Sequence, residues 1–502
     1  MTENVKILAL RLLDRFEEHI SAQLLLLRYN HDRDSGPSFD RTGGPTGFTG
    51  FHGAAFLGIV EVVAAESGTR KWDANAADCT GSTALIWAVV RGQDEVVKVL
   101  LEREDVIPDQ VVPKSGRTAL SWAAGLGREG IVKMLLDHEE VNPNKADTEY
   151  GITPLFWAAA KQHHGVVNML LEREDVAPDW PDPESGRTPL SWAAGLGHEG
   201  IVEMLLGRAD VNPNHIDTVY GRTPLSWAAG NRHQGAVKML LGRRDVNPNQ
   251  ADTFYYITPL SCAARFGHEE IVQMLLEREG VNPDEVGTEC GRTPLSWAAG
   301  NGHEGVVKML LDRKDVNPDR AEIECGRTPL WRAAENGYER IVKILLERED
   351  VNPEQEETEH GRTLLSWAAG VGNAELVKIL LEREDVNLNR ADTTCGRTPL
   401  SWAAKRGHVG VVKMLLERND ALIAIPDNQN QTPLSLALSE GHHGVVRILL
   451  QQDNANCLVA DCGGQTSPPP TERFQPPQPT PRLRRPRFPY PPKNTKAHNS
   501  NA

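Results

Sequence analysis

Four side chains that could bind a metal ion recur at one position of this 502-residue sequence. Cys290, Cys325, His360 and Cys395 follow one another at intervals of 35 residues. Thiolates and imidazoles are ligands that zinc prefers, and structural zinc sites use four of them. On residue types alone, this series resembles a zinc-binding set.

A second series consists of histidines that could act as metal ligands or general bases. The zinc-protease motif H-E-x-x-H is absent, since the residue four after His198 is Val202. Tyr338 and Asn373 occupy the same register elsewhere, so the position does not require an imidazole. We therefore predict a structural role for this series, and we expect no catalytic residue, metal ion or cofactor. Its members are His198, His233, His268, His303 and His408.

Both series belong to an internal repeat. The threonine of the recurrent string GRTPLSWAAG recurs in nine steps of 35 residues, and once more after 34 residues at Thr432. Thr49 opens a shortened copy 34 residues before Thr83. A repeat of this length predicts about twelve stacked units, each burying its apolar face against its neighbours. The regularly spaced threonines are Thr83, Thr118, Thr153, Thr188, Thr223, Thr258, Thr293, Thr328, Thr363 and Thr398.

Each unit has the pattern of two short antiparallel helices. In the unit that begins at Thr188, this threonine is a suitable N-cap and Pro189 suits the first helical position. The first helix is apolar on nearly every side, which predicts burial between neighbouring units. From Ile201 onward, the apolar pattern i, i+1, i+4, i+5 predicts a second helix with one buried face. After the second helix, Pro213 and Gly221 predict a turn-forming, hairpin-like connection to the next unit.

These units resemble the ankyrin repeat, which has about 33 residues, a β-turn finger, two helices and the motif T-P-L-H-x-A. The TPL triplet is kept in most copies, Ser191 and Ser226 replace the histidine of the motif, and Gly197-His198 keeps the turn between the helices. The resemblance covers about 410 residues. It implies an all-α ankyrin-repeat solenoid of helix-turn-helix units with β-turn fingers, with about 12 repeats. It also implies a non-catalytic scaffold that binds a partner protein or peptide on the concave surface of fingers and inner helices.

An alternative function follows from a narrower resemblance. The GRTPLSWAAG units look like the ankyrin arrays of filamentous fungi, which often follow a NACHT-type nucleotide-binding module. The chain would then be the ligand-sensing C-terminal part of a signalling receptor whose NTPase module is absent from this chain. The sequence contains no G-x-x-x-x-G-K-[ST] phosphate loop. An enzyme is the third hypothesis and the least favoured one, because no nucleophile, base or metal set converges outside the repeat positions.

The stacking of units argues against the zinc set. Stacked helices lie roughly 8–10 Å apart, whereas zinc holds its ligands within about 2.0–2.3 Å. The same spacing exceeds the Cα separation of about 7 Å that a disulfide between Cys290 and Cys325 would allow. We therefore interpret the cysteine and histidine series as exposed finger residues.

A column of tryptophans follows the TPL triplet. The separation of stacked units exceeds the roughly 4.5–7 Å of aromatic contact, so we predict core packing rather than an aromatic ligand box. Cys262 replaces the tryptophan in one unit. Near Arg332 the tryptophan is displaced by one residue to Trp331, which predicts a weaker interface there. The column comprises Trp87, Trp122, Trp157, Trp192, Trp227, Trp297, Trp367 and Trp402.

Positions that vary between units are the candidate partner-binding residues. Every unit has the same packing problem, so packing explains the positions at which the units agree but not those at which they differ. The alternative explanation is neutral drift on a solvated face. The candidates are Tyr150, Gln162, Trp180, Leu196, Tyr220, Asn231, Tyr255, Phe266, Cys290, Asn301, Cys325, Asn336, His360, Val371, Cys395 and Arg406.

Charge predicts the chemistry of the partner. The net charge is −15, which gives no reason to expect a nucleic acid or a membrane as partner. Residues 463–502 carry +6 and the remaining residues carry −21. The seven residues before each finger glycine, from 109–115 to 389–395, sum to −15, which seven following arginines reduce to −8. We therefore expect an acidic binding strip, a basic protein or peptide as partner, and a monomeric protein.

The two ends predict separate segments. Apolar residues at helical spacing predict an amphipathic N-terminal helix or cap over residues 1–30, followed by a linker over 31–48. The repeats would extend over 49–458, and residues 459–502 form a Pro-rich, basic tail that we predict to be disordered. One hypothesis is that this tail binds the acidic strip of its own chain. With seven cysteines at no dense spacing, we expect an intracellular protein of the cytoplasm or the nucleus.

Overall fold

The structure, a computed structural model, describes residues 48–66, 73–78, 80–286, 291–418 and 421–451. Over these ranges the chain forms 24 helices and no strand. The helices form twelve consecutive pairs, which we number units 1 to 12, and we call the first helix of each pair inner and the second outer. The prediction of an all-α solenoid with about twelve repeats is confirmed. The predicted N-terminal helix, nearly all of the linker and the tail lie outside the described residues.

The inner helices carry odd numbers and the outer helices carry even numbers. The inner helices are α1 Gly50–Leu57, α3 Ala84–Arg91, α5 Ala119–Gly125, α7 Pro154–Ala160, α9 Pro189–Leu196, α11 Pro224–Gly230, α13 Pro259–Phe266, α15 Pro294–Asn301, α17 Pro329–Glu335, α19 Leu364–Val371, α21 Pro399–Arg406 and α23 Pro433–Ser439. The outer helices are α2 Val60–Glu66, α4 Asp94–Leu101, α6 Glu129–Leu136, α8 His164–Leu171, α10 Glu199–Leu206, α12 Gln234–Gly242, α14 Glu269–Glu277, α16 Glu304–Leu311, α18 Glu339–Leu346, α20 Ala374–Leu381, α22 Val409–Glu417 and α24 His443–Gln451.

The inner helices begin at the repeated threonine because its side chain caps them. In unit 5, the Thr188 hydroxyl oxygen accepts the backbone N–H of Ser191 at 3.2 Å. Pro189 occupies the first helical position, where its missing N–H costs nothing. Gly197 ends the helix in the left-handed region, at a φ of 74°. The same threonine cap is present in units 2 to 12, so the repeated motif sets where each inner helix begins.

The core is a continuous apolar layer that runs through the stacked units. Each outer helix packs on the outer helix of the next unit, and nearly every inner helix packs closely on the next inner helix. In α10, Ile201, Val202 and Leu205 are buried, whereas Glu203 is exposed. An internal unit is therefore held by both of its neighbours, and the stability of the array depends on units and on the interfaces between them.

The interface between units 9 and 10 is the loosest step of the described array. The inner helices α17 and α19 have little close backbone contact, unlike the inner helices at the other steps. The displaced Trp331 explains this, since its ring faces that of Trp367 at a centroid distance of 6.2 Å. The wider spacing supports the prediction of a weaker interface, which unfolding experiments can test. The expectation that tryptophans of neighbouring units are too far apart for contact is wrong for this pair, because Trp331 lies one residue out of register.

Restoring the usual order by Trp331→Ser with Arg332→Trp should raise the free energy of unfolding by about 1–2 kcal/mol, as consensus substitutions commonly do. The exchange removes the indole between α17 and α19 and returns a tryptophan to the column. Urea unfolding of the double variant, beside each single variant, measures the gain. A stability equal to that of the unmodified chain would show that the displaced ring does not weaken the interface.

The histidine series lies at the turns between inner and outer helices, where its rings hydrogen-bond the preceding unit. His233 Nε2 lies 3.1 Å from the carbonyl oxygen of Gly195, and His268 Nε2 lies 3.2 Å from that of Gly230. Burial lowers the pKa of His198, His233 and His268. Burial therefore favours the neutral form of these imidazoles and outweighs the backbone hydrogen bonds, which raise the pKa.

We expect the free energy of unfolding to fall as the pH is lowered from about 7 toward 5. The folded-state pKa of these histidines lies below the unfolded value of about 6.5, so the unfolded chain takes up protons first. This stability is complete above the unfolded pKa and is lost as the pH falls through the folded pKa. Replacing His198, His233 and His268 by Asn, the residue that unit 10 carries at Asn373, should flatten the dependence. Urea unfolding at several pH values measures it, and an unchanged slope in the triple variant would contradict the interpretation.

Candidate interaction surface

A finger is the loop that precedes each capping threonine, and a carboxylate at its centre holds it in shape. In unit 6, Asp217 Oδ1 accepts the backbone N–H groups of Val219 at 3.0 Å and of Tyr220 at 2.7 Å. Its Oδ2 accepts the backbone N–H of Arg222 at 3.1 Å. In the next finger, Thr253 donates its backbone N–H to the Tyr220 carbonyl at 2.8 Å. These two fingers are therefore fixed internally and held in register.

In units 2, 4, 5, 6 and 11, the tryptophan of the column ties the finger to its own inner helix. The Trp227 indole N–H donates to Oδ2 of Asp217 at 2.8 Å. The guanidinium of Arg187, from the preceding unit, lies 3.4 Å from the centroid of the Trp227 ring, whose face attracts a cation. Burial lowers the pKa of Arg187 to about 10. The column is buried at Trp87, Trp122, Trp227, Trp297 and Trp402, and half-buried at Trp157, Trp192 and Trp367.

Where a unit lacks the tryptophan, the arginine of the preceding unit binds the finger carboxylate instead. Unit 7 has Cys262 in the tryptophan position, and Arg222 Nε lies 3.2 Å from the carboxylate of Asp252. Unit 12 has a leucine there, and Arg397 Nε lies 3.0 Å from the carboxylate of Asp427. Both pairs are buried. The arginine thus stacks on the tryptophan of the next unit or forms an ion pair with its finger carboxylate. Arg327 is an exception, since it forms an ion pair with Glu335 of its own unit at 2.8 Å.

Unit 9 satisfies its finger carboxylate with two arginines. Arg332, in the tryptophan position, donates to both oxygens of the buried Glu322 and lies 3.1 Å from Glu335. Arg292, from the preceding unit, lies 2.9 Å from Glu322. Burial and these cations act in opposite directions, and the net result is a lowered pKa of Glu322. An ion network therefore replaces the indole where the tryptophan is displaced.

Much of the acidic charge counted from the sequence is buried inside the fingers. We call the seven-residue stretches before each finger glycine, from 109–115 to 389–395, the finger windows. Of the eighteen carboxylates that the structure describes in them, eight are buried, and these accept hydrogen bonds from backbone, indole or guanidinium groups. The summed charge of the predicted acidic strip therefore overstates what a partner meets. The buried carboxylates are Asp147, Asp182, Asp217, Asp252, Asp284, Glu322, Glu357 and Asp392. The finger surface stays acidic at the exposed Glu149, Glu184, Glu324 and Glu359.

The first residue of each finger window connects neighbouring fingers. In unit 6, Asn214 uses both side-chain atoms, since Nδ2 donates to the Asp245 carbonyl at 2.6 Å and Oδ1 accepts the Asn247 backbone N–H at 2.7 Å. In unit 5 the residue is Asp179, of which one oxygen accepts the Asn212 backbone N–H at 2.7 Å. The other oxygen is buried without a hydrogen-bond partner among the described residues. Burial raises the pKa of Asp179.

Asp179→Asn should raise the free energy of unfolding by about 1 kcal/mol at neutral pH, because the amide supplies the missing donor. The gain should shrink in acid. A raised folded-state pKa means that the unmodified chain is most stable with this carboxyl protonated and loses that stability as the pH rises. Urea unfolding at neutral and acidic pH measures both effects. Asp109 and Asp284 also have one buried carboxylate oxygen without a hydrogen-bond partner among the described residues, so Asp109→Asn and Asp284→Asn serve as replicates. A loss of stability in all three variants would contradict this account.

Most predicted partner-binding residues reach the surface. The exposed ones are Tyr150, Gln162, Trp180, Asn301, Asn336, Val371 and Arg406. The half-buried ones are Leu196, Tyr220, Asn231, Tyr255, Phe266, Cys325, His360 and Cys395. Cys290 lies outside the described residues.

Three asparagines among these candidates have structural contacts. Asn231 Nδ2 donates to the Gly195 carbonyl of the preceding unit at 2.7 Å. Asn301 and Asn336 donate to carbonyls of their own inner helices at 2.7 and 2.9 Å. Packing therefore explains part of the choice of residue at this position, in addition to any contact with a partner.

The side chains of two described members of the cysteine and histidine series contact carboxylates of their own fingers. Cys325 Sγ donates to Glu322 at 3.1 Å, and His360 Nδ1 lies 3.5 Å from Glu357. Glu357, Glu359 and His360 each place one potential ligand atom within 4.8 Å of the others. The Glu357 oxygens already accept the backbone N–H groups of Glu359 and His360, both at 2.8 Å. This grouping is local to one finger and differs from the zinc set suggested by the sequence.

Exposed apolar side chains interrupt the polar finger surface at units 6 and 7. We call Val219, Tyr220, Phe254 and Tyr255 the aromatic finger patch. Val219 is 47% exposed and Phe254 is 58% exposed. Ring centroids lie 5.9 Å apart for Tyr220 and Phe254, and 4.7 Å apart for Phe254 and Tyr255. The patch is therefore one continuous apolar area across two neighbouring fingers.

Val219 and Phe254 are not among the residues predicted from the sequence. The predicted finger residues lie directly before the finger glycine, whereas these two lie one position earlier. Most other units carry glutamate at that earlier position. The change from acidic to apolar was visible in the same comparison of units, one column away.

The stacked helix pairs and fingers define a helical-repeat solenoid. The family model "Ankyrin repeats (3 copies)" matches residues 51–147, 106–180, 139–217, 174–252, 244–321, 314–392 and 365–461. These overlapping segments include every unit, and the chain belongs to the ankyrin-repeat family. A search of curated proteins finds no match. In the described part of the chain, no helix combines the length and the apolar character needed to cross a membrane.

Proposed function

We propose that the chain is a non-catalytic scaffold that binds a partner protein or peptide on its fingers and inner helices. Ankyrin repeats typically mediate protein–protein interaction. The observation that carries the proposal is the aromatic finger patch, since contiguous exposed apolar area marks interaction sites and tyrosine is prominent among the residues that dominate binding energy. The alternative role, as the sensing part of a NACHT-type receptor, would use the same surface.

The surroundings of the patch favour a basic partner with an apolar anchor. Exposed Glu184 belongs to the unit before the patch, and exposed Glu324 and Glu359 belong to units after it. Charges of opposite sign around an apolar centre speed association and select partners. Free thiols at Cys262 and Cys325 suit a reducing compartment, so we place the interaction in the cytoplasm or the nucleus. We expect the protein to be monomeric.

Quantitative affinity capture with the full chain tests the proposal. Tyr220→Ala, Phe266→Ala and Phe254→Ser change the proposed surface. Ile323→Ser is the matched control, because Ile323 is an apolar finger residue, 64% exposed, that lies outside the patch. A partner should be lost with the first three variants and retained with the control. Retention of every captured protein by all four variants would refute this binding surface.

A further inference from the structure

We propose that a segment of the chain's own tail, residues 480–493, binds the aromatic finger patch and competes there with the partner. The inference rests on the proposed function, because it names a first occupant of the same surface. The segment reads TPRLRRPRFPYPPK. It combines two aromatic residues, Phe488 and Tyr490, with five basic residues and no acidic one.

The surface and the segment have the same order of properties with opposite charge. Along the fingers, exposed Glu149 and Glu184 precede the aromatic finger patch, and exposed Glu324 and Glu359 follow it. Along the segment, four arginines precede the two aromatic residues and one lysine follows them. Aromatic groups can therefore lie on the patch while the arginines before them meet carboxylates. The basic residues are Arg482, Arg484, Arg485, Arg487 and Lys493.

The spacing of the segment matches the spacing of the units. Proline-rich sequence favours polyproline II, with three residues per turn and about 3.1 Å per residue. Side chains three residues apart then repeat every 9 Å or so, close to the roughly 8–10 Å between stacked helices. Arg484, Arg487, Tyr490 and Lys493 have this spacing. With Tyr490 on the unit 6 part of the patch, Arg487 and Arg484 would lie beside units 5 and 4, which carry the exposed Glu184 and Glu149.

The connecting chain is long enough for this contact. Thirty residues, 452–481, separate Gln451 of unit 12 from the first arginine of the segment. A chain of this length can extend to about 100 Å. Units 6 and 7 lie five to six steps before unit 12, a distance of roughly 40–60 Å at the spacing of stacked helices.

Tethering also lowers the affinity that the contact requires. A tethered segment has an effective concentration in the millimolar range. An intrinsic dissociation constant of about 100 µM would then keep the patch occupied for about nine-tenths of the time. A partner must displace the segment, so the tail would lower the apparent affinity for weak partners.

Photo-crosslinking in the purified full chain tests the inference. Phe254 is replaced by p-benzoylphenylalanine in one variant and Thr394 in the matched control. Thr394 is exposed and occupies the same finger position in unit 11, nearer to the tail along the chain. We expect crosslinks from position 254 to residues 480–493, at a yield independent of protein concentration and at least about threefold that from position 394. The yield should fall severalfold between about 50 and 300 mM salt, and with Phe488→Ala and Tyr490→Ala together.

Three results would overturn the inference. Equal or greater yield from position 394 would show that tethering alone brings the tail near the fingers. Crosslinks between two chains would show that the occupant is a second copy, and no crosslink to the tail would show that it does not bind. In each case, partner capture that still depends on Phe254 leaves the proposed function intact, whereas capture that ignores the patch variants refutes the proposed function itself.

Discussion

Trp227→Ala should lower the free energy of unfolding by about 3–5 kcal/mol and divide unfolding into two transitions. Trp227 is buried, and its indole N–H donates to Asp217 at 2.8 Å. The Arg187 guanidinium lies 3.4 Å from the centroid of its ring. Truncation leaves a cavity and removes one donor from a buried carboxylate and the stacking surface of a buried cation. Since each unit contacts only its neighbours, damage at unit 6 separates the two halves of the array.

Urea unfolding followed by circular dichroism measures this effect. Trp180→Ala is the matched control, because Trp180 is a finger residue, 44% exposed. The control should change the stability by less than about 0.5 kcal/mol. One sharp transition in the Trp227 variant, with the midpoint of the unmodified chain, would contradict both the packing role and the independence of the units.

Arg222→Ala should cost about 3–5 kcal/mol, since it leaves an uncompensated buried charge. Arg222 and Asp252 are both buried, with Nε 3.2 Å from the carboxylate. Unit 7 carries Cys262 in place of the tryptophan, so no indole N–H reaches this carboxylate. Asp252 keeps only backbone donors, those of Tyr255 at 2.7 Å and Ile257 at 3.4 Å, among the bonds described.

Adding Cys262→Trp to Arg222→Ala should restore most of the lost stability. The units with a tryptophan show how, since Trp192 and Trp402 donate to their finger carboxylates at 3.1 and 2.8 Å. In the unmodified background, Cys262→Trp should destabilise, because Arg222 already occupies the space beside Asp252. Urea unfolding of the three variants decides the matter. A double variant no more stable than Arg222→Ala would show that indole and guanidinium are not interchangeable donors.

The repeat made the fold predictable from the sequence. The helix ends are set by local signals: a threonine cap, a proline at the first helical position and a glycine near the helix end. These signals recur about ten times along the chain. The different packing between units 9 and 10 was predictable for the same reason, since Trp331 departs from a repeated pattern. Because the same capping residues recur at a fixed interval, they determine where the helices of each unit begin and how the units follow one another.

The surface was less predictable, because its properties depend on contacts between units. Summing charges treated Asp252 and Arg222 as solvent-exposed, although the structure buries both as a pair. The partner of arginines such as Arg187 and Arg222 depends on whether the following unit has a tryptophan, a relation that spans about one repeat. Phe254 was missed because the comparison stopped one residue short of its position. Burial decided which varied residues remain available to a partner.

The dissociation constant of the captured partner tests most directly whether the aromatic finger patch is the binding surface. Isothermal titration calorimetry would compare the unmodified chain with Phe254→Ser and Ile323→Ser. We expect Phe254→Ser to weaken binding about tenfold or more and Ile323→Ser to leave it unchanged. Equal affinities for the unmodified chain and Phe254→Ser would contradict a binding role for the patch.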